Sequence, residues 1–524
     1  MIKNLGGGAV ISSRAPVLFA ARGGRINTQA SGFGSSGAKT SFLARRPFGF
    51  GVIPPLAIRF MWANWHAAAS TASPEVLGTA PIAYRQAAMR TSTAFTPVTV
   101  GGAVPVVGLG SISSPFTLSD WILPPDLGVT SFPAFGLFEF AGIGDYGASA
   151  CPVAAGTNRP GGGQHARYAP ANEGGISVYS PQGALAYPSG FDSIPTPAPI
   201  AVIGLMPSGA QAIIGLATDS MGQQTGDIQG WGPAGGGLFM RAATLLGIPF
   251  FNGGVSGQTG AHLIGPNNLG LRDALNPFAT GAFCQFGTND FAAANQPTAA
   301  PSGAASVAGN LATWSGKFKA ASGGGTVIVG TIPPRTTAAN NTGFTTLADQ
   351  VPDVNFGAGS MRTDLNALIV ANPGAFGADF GFDAGPFCQD AGDPTRWKLD
   401  PFTTKLAAAV AVGDTSYQLV DAPPADANLC LGAGLSSIDT SGVGSGSGMY
   451  AVAGQVTGTG PYTVASQWTD PYSNSAVSWN PAVAHAAGDP VRGRLTADGI
   501  HWAANVVKPA GRALAPLMAM AARR

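Results

Sequence analysis

The stretch QAIIGLATDSMGQQTG, Gln211 to Gly226, decides how this chain is read. Its apolar run stops at Asp219-Ser220 and gives way to Met-Gly-Gln-Gln-Thr-Gly. One reading is a core strand followed by turn formers. The other is a strand that delivers a serine to the edge of a sheet, where it can act as a nucleophile. The flanking sequence bears on the choice. From about Pro199, strand-like and helix-like runs alternate: AIIGLA, then GLFMRAATLLG, IPFFNGGV, SVAGNLATWSGKFKAAS, GTVIVGTIPP and GSMRTDLNALIVAN. Continuous apolar strands, each followed by a helix, predict a parallel sheet covered on both faces, hence an α/β domain.

Outside this region the rhythm differs. LAIRFMWANW, PIAYRQAAM, FTPVTVGGAVPVVGLG, FTLSDWIL and FGLFEFAGIGDY are short strand-like runs separated by turn residues, which predicts a β-sandwich, jelly-roll-like, over 49–204. Ala154 to Pro197 reads as long surface loops, and residues 1–48 as an irregular arm or docking segment. TSYQLVD, MYAVAGQV and YTVASQW predict a small β module at 398–490, inserted into an α/β domain made of 205–397 and 491–524. The last of these segments ends in a helix-like run.

The composition narrows the function classes. Charged residues are 10% of 524, the net charge is +1, and there are 76 glycines and 42 prolines. This balance gives no reason to expect nucleic acid or an anionic membrane as partner. No run approaches the length of a spanning helix, and the N-terminal residues lack a signal-peptide apolar core. The four cysteines, Cys151, Cys284, Cys388 and Cys430, are far apart and have no zinc spacing, so neither a metal site nor a disulfide framework is expected.

Three further motifs can carry chemistry. NGGVSGQTG, Asn252 to Gly260, follows an expected strand, and its glycines let a backbone N–H face a ligand. CQFGTND, Cys284 to Asp290, is again strand then turn, with the Asn289 amide as a possible donor. In DGIHW, Asp498 precedes His501 by a spacing that can bring both to one side of a turn, the carboxylate orienting the imidazole. Each alone is ordinary turn chemistry or a common chance spacing. Ser220, Gly257 and Asn289, however, all fall just after a predicted parallel strand, where open α/β sheets place their sites.

The ordered blocks ATDS, NGGVSGQTG, FGTND and DGIHW resemble those of the SGNH (GDSL-type) hydrolases. The resemblance covers roughly 205–397 plus 491–524 and implies a three-layer, flavodoxin-like fold. It further implies Ser220 as nucleophile, His501 as base and Asp498 as its orienter. Ser220 and Gly257 N–H groups and the Asn289 amide would form the oxyanion hole, with no metal or cofactor. Thr218 stands where the family has glycine, and the gap from Asn289 to His501 is long for the family unless 398–490 is an insert. Trp502 and Trp231 are candidate sugar-stacking residues, Trp502 reading more readily as a core residue at the start of the last helix. His66, His165 and His262 read as structural and His485 as part of the module. The IRFMWANW…SDWI pattern is similar to sandwich domains preceding some bacterial and phage SGNH esterases, and the 398–490 segment is similar to phage tail modules. These likenesses suggest an esterase removing O-acetyl groups from a polysaccharide. It would be extracellular or virion-associated, with residues 1–48 docking on other virion proteins and an oligomer an open option. The alternative is a glycan-binding or structural spike protein without turnover.

Overall fold

The computed structural model describes residues 15–31, 40–69, 74–145, 151–153, 165–173, 176–181, 196–222, 237–265, 267–292, 303–338, 346–400, 402–411, 414, 416–423, 428–431, 450–451, 456–457, 460–465, 467–469, 476–478, 484, 486–493 and 504–521. Its centre is a parallel sheet in the order Phe380–Phe382, Thr326–Gly330, Gly281–Cys284, Ile213–Gly215, Phe250–Asn252, Gly24–Arg25. Without the Gly24–Arg25 edge, the strands run 2-1-3-4-5 in chain order. The direction of winding therefore reverses between Ile213–Gly215 and Gly281–Cys284. A crevice opens at such a switch point, beyond the C-terminal ends of the strands.

Alternate residues of each strand enter different cores. Ile213, Phe250, Phe283 and Ile328 pack with helix α1 (Leu238–Leu246) and helix α6 (Ala504–Ala521). Ile214, Phe251, Cys284 and Val329 pack in a core that includes residues of α3 (Ala304–Ser322) and α4 (Met361–Ala371). Both faces are thus dry, which is why these strands read as unbroken apolar runs. Two short helices complete the set, α2 (Gly260–Ile264) and α5 (Gly385–Cys388).

The N-terminal part holds two antiparallel sheets. One contains Val17–Phe19, Ala201–Leu205, Ala57–Trp62 and Thr117–Leu118. The other is built around Ser41–Phe50, Leu137–Asp145 and Ile82–Arg90. Aromatic rings from both meet: Phe60 and Trp62 lie 5.4 and 5.6 Å from Phe140, centroid to centroid. Trp62 Nε1 donates to Tyr84 Oη, which donates to the Pro197 carbonyl, so both buried polar tips are satisfied. The strand expected in FGLFEFAGIGDY is present as Leu137–Asp145, whereas FTPVTVGGAVPVVGLG and FTLSDWIL supply only the short pieces Phe95–Pro97, Val106–Val107 and Thr117–Leu118.

Two expectations are corrected. The segment read as an irregular arm is regular where described, because Ser41–Phe50 is a ten-residue buried strand. Its two arginines find partners inside: Arg45 pairs with Glu139, and Arg46 donates to the Gly23 carbonyl. Between Val17 and Arg25 the chain also pairs with Ala201–Leu205, with Gly49 and Phe50, and with Phe251 and Asn252. The second correction lies in the expected loops: His165–Tyr168 is a strand beside Ser41–Phe50, with Ala166 and Tyr168 buried.

Between 398 and 493 the described residues form short antiparallel sheets, Thr403–Lys405, Pro490–Gly493, Asn428–Leu431 and Tyr450–Ala451 in one, Ser416–Leu419, Tyr462–Ala465 and Val456–Thr457 in another.

Candidate functional site

Three loops converge beyond the strand ends at the switch point. The first follows Ile213–Gly215. Thr218 still pairs with Gln285 across the parallel sheet, and its carbonyl accepts from Val255 N–H at 3.3 Å. Thr218 is fully buried, and its Oγ1 reaches back to the Gly215 carbonyl. A Cβ placed on Gly222 would fall on the Thr218 side chain, so glycine at 222 makes room for threonine at 218.

Asp219 links the loops. Its Oδ1 accepts from Met221 N–H at 2.9 Å, closing the turn that carries Ser220. Its Oδ2 accepts from Asn289 Nδ2 at 3.2 Å. Asn289 Nδ2 donates its other hydrogen to the Gln258 carbonyl at 3.1 Å. An oxyanion bound here would share or replace one of these acceptors, so the placing of Gln258 bears directly on what Asn289 can donate. Gly257, just before it, has φ +76, a left-handed conformation that suits glycine.

Asp290 lies beneath. Its Oδ1 accepts from Gly260 N–H at 3.0 Å, at the start of α2. Burial, helped by the charge of Asp219, pushes its carboxyl up to about 7. His262 on α2 is turned inward: its Nδ1 accepts from Thr259 N–H at 2.9 Å and meets Thr259 Oγ1 at 2.8 Å. Burial, then the neighbouring Arg272 charge, hold its imidazole below the usual range. It caps a helix, in keeping with a structural reading.

The second loop is tied to a separate two-stranded hairpin earlier in the chain. Arg272 Nη1 donates to Gln258 Oε1 at 2.8 Å, and its Nη2 to the His262 carbonyl at 3.3 Å. Arg272 is in turn held by Glu75, whose Oε1 accepts from Arg272 Nε at 3.1 Å. Glu75 also accepts from the backbone N–H of Leu271 and Arg272, each at 2.9 Å. The two side chains are 0% and 1% exposed for Glu75 and Arg272 respectively. Glu75 belongs to a hairpin, Trp65–Ala67 with Glu75–Leu77, and a Cβ added to Gly257 would meet Ala69 of that hairpin.

Of the residues singled out in the sequence, Ser220, Gly257 and Asn289 thus lie on loops joined by hydrogen bonds through Thr218, Asp219 and Gln258. Asp498, His501, Trp502, Trp231 and His485 lie outside the described residues. Helix α6, which begins at Ala504, is described. Its last residue, Ala521, packs on Gly281 at the start of that strand. Sequence reasoning passed over Asp219, Gln258, Asp290, Arg272 and Glu75. The first three adjoin motif residues and were within reach; Arg272 and Glu75 carry no local signal. Among the described residues no group of three or more His, Cys, Asp or Glu is placed to hold a metal ion, and no helix is long and apolar enough to cross a membrane.

No protein-family model matches the chain, and no curated protein matches it. Several solved structures resemble it in part. A possible lipase from Chitinophaga pinensis is 12% identical, covering 59% of this chain and 98% of that one, with a TM-score of 0.29. A carbohydrate acetylesterase from Sinorhizobium meliloti is 18% identical, covering 35% and 89%, with a TM-score of 0.24. A variant of an acetyl-xylooligosaccharide esterase from a Geobacillus is 13% identical, covering 34% and 78%, with a TM-score of 0.22. Likenesses this weak decide neither fold nor activity.

Proposed function

We propose that the chain is a serine esterase of the SGNH type, with a three-layer α/β domain, an N-terminal β-sandwich and an inserted β module. The observation that carries this is the hydrogen-bonded joining of the Asp219-Ser220, Gly257-Gln258 and Asn289 loops at the switch point. In this reading Ser220 Oγ attacks an ester carbonyl while His501, oriented by Asp498, takes its proton. The Ser220 and Gly257 N–H groups and the Asn289 amide stabilise the oxyanion. The alcohol leaves with the proton from His501, and the acyl group stays on Ser220. Water, deprotonated by His501, then releases the acid. For the substrate we propose an O-acetylated polysaccharide, with Trp502 and Trp231 as sugar contacts, and for the setting an extracellular or virion-borne location. Both rest on the resemblance described in the sequence.

The test is acetate release from 4-nitrophenyl acetate and from an O-acetylated bacterial polysaccharide, comparing wild type with Ser220→Ala. The expected loss is about 10³-fold or more. Equal, near-background rates on these and on longer acyl esters would leave a non-catalytic glycan-binding protein as the better reading.

A further inference from the structure

The hairpin Trp65–Leu77 belongs to the N-terminal part, yet its Glu75 is buried in the α/β domain. A buried ion pair is a poor device for stability alone, because desolvating two charges offsets most of their attraction. What it does well is fix one geometry. Here the fixed object is Arg272: Glu75 accepts from its backbone N–H and from Nε, so the guanidinium can face in only one direction. That direction ends on Gln258 Oε1. Gln258 follows Gly257, and its own carbonyl takes a hydrogen of Asn289 Nδ2. Gln258 Nε2, by contrast, is buried with no partner among the described residues. Among the described residues, the side chain is therefore held from its oxygen by Arg272 alone.

We propose that Glu75 and Arg272 are positioning residues for the oxyanion side of the site, acting through Gln258 on the Gly257 N–H and the Asn289 amide. This two-stranded hairpin is then a working part of the esterase and not only a neighbouring element. This rests on the reading of Ser220 as nucleophile. Loosening the turn at 255–258 would leave substrate able to bind but misplace donors that matter most when negative charge develops. The signature is a fall in kcat with little change in KM.

The experiment uses the full chain as wild type, Glu75→Gln, Arg272→Lys, Ser220→Ala and Glu139→Gln. Glu139 sits in another buried ion cluster, within an antiparallel sheet of the N-terminal part, and serves as the control for loss of a buried charge. Hydrogen exchange over 255–262 and the kinetics of 4-nitrophenyl acetate hydrolysis are both measured on folded protein. Expected is exchange at 255–262 about ten-fold faster in Glu75→Gln and Arg272→Lys, with kcat down about ten-fold and KM within about two-fold, while Glu139→Gln changes neither. Equal rates for wild type and Ser220→Ala overturn the serine reading and this inference with it. A wild type silenced by Ser220→Ala, but with unchanged exchange or unchanged kcat in Glu75→Gln and Arg272→Lys, overturns this inference alone.

Discussion

Two buried ion clusters, one in the N-terminal sheets and one beside the site, are built from the same groups in different ways. Glu139 faces two guanidiniums, Arg45 Nη2 at 2.9 Å and Arg90 Nη1 at 2.8 Å. All three residues lie on adjacent strands of one sheet, and Glu139 is in register with Arg90. Burial still holds the Glu139 carboxyl above its usual range, outweighing Arg45 and Arg90. The sheet already fixes these residues, so the charges settle register within a structure that backbone pairing has made. Glu75 and Arg272 are 197 positions apart and share no strand. There the charges and the two backbone N–H groups on Glu75 are themselves the joint. The same chemistry is redundant in one place and structural in the other.

Removing one partner separates the two most sharply. Glu139→Ala leaves two buried guanidiniums facing each other, and Glu75→Ala leaves one; each is expected to cost about 3–5 kcal/mol in denaturant unfolding. Only the second should slow ester hydrolysis per folded molecule, and a rate loss in Glu139→Ala would break the comparison. Replacing both partners with apolar residues, Glu75→Met with Arg272→Met, is expected to cost about 2–4 kcal/mol, because the Leu271 and Arg272 N–H groups lose their acceptor. Stability equal to wild type would show that water or a shifted backbone satisfies them.

Asp290 extends the comparison to a buried carboxylate that backbone N–H groups face and that has Asp219 nearby. Its folded pKa, about 7, lies above the ordinary 3.8. The folded state therefore holds a proton that the unfolded state has lost between these values. The stabilisation from this group is complete at low pH and disappears as pH rises through about 7. Asp290→Asn keeps an acceptor for Gly260 N–H and should flatten that part of the stability-pH curve, by a few kcal/mol in all. An unchanged curve would mean that Asp290 is already ionised near pH 4. The smallest effect expected is at Gly222→Ala, about 1–3 kcal/mol from overpacking on Thr218 and largely recovered in the double variant with Thr218→Gly. Additive costs would show that the Thr218 side chain is not what glycine accommodates.

The parts of the molecule legible in the sequence are those whose causes are local. Leu238–Leu246, Ala304–Ser322 and Met361–Ala371 are helices where the alternation of strand-like and helix-like runs predicts them. The serine loop was legible because an apolar run ended on Asp-Ser. Ser41–Phe50 was not, since SFLARRPFGF carries two arginines and a proline and its burial does not alternate. Only distant partners, Glu139 among them, let those arginines lie inside. Glu75 was invisible for the same reason: no spacing within EVL announces a guanidinium so far along the chain.

The stitching of Val17 to Arg25 into three sheets has a consequence for the order of events during synthesis. These residues are made before all their partners: Gly49 and Phe50 follow soon after, those near Ala201 and Phe251 much later. The Gly24–Arg25 edge strand can settle only after Phe250–Asn252 has joined the parallel sheet. Long-range pairings of this kind close large loops and come slowly. The Gly24–Arg25 strand thus acts as a late seal: a nascent chain stalled before residue 250 would hold that strand without its partner, as an exposed edge for chaperones to cover.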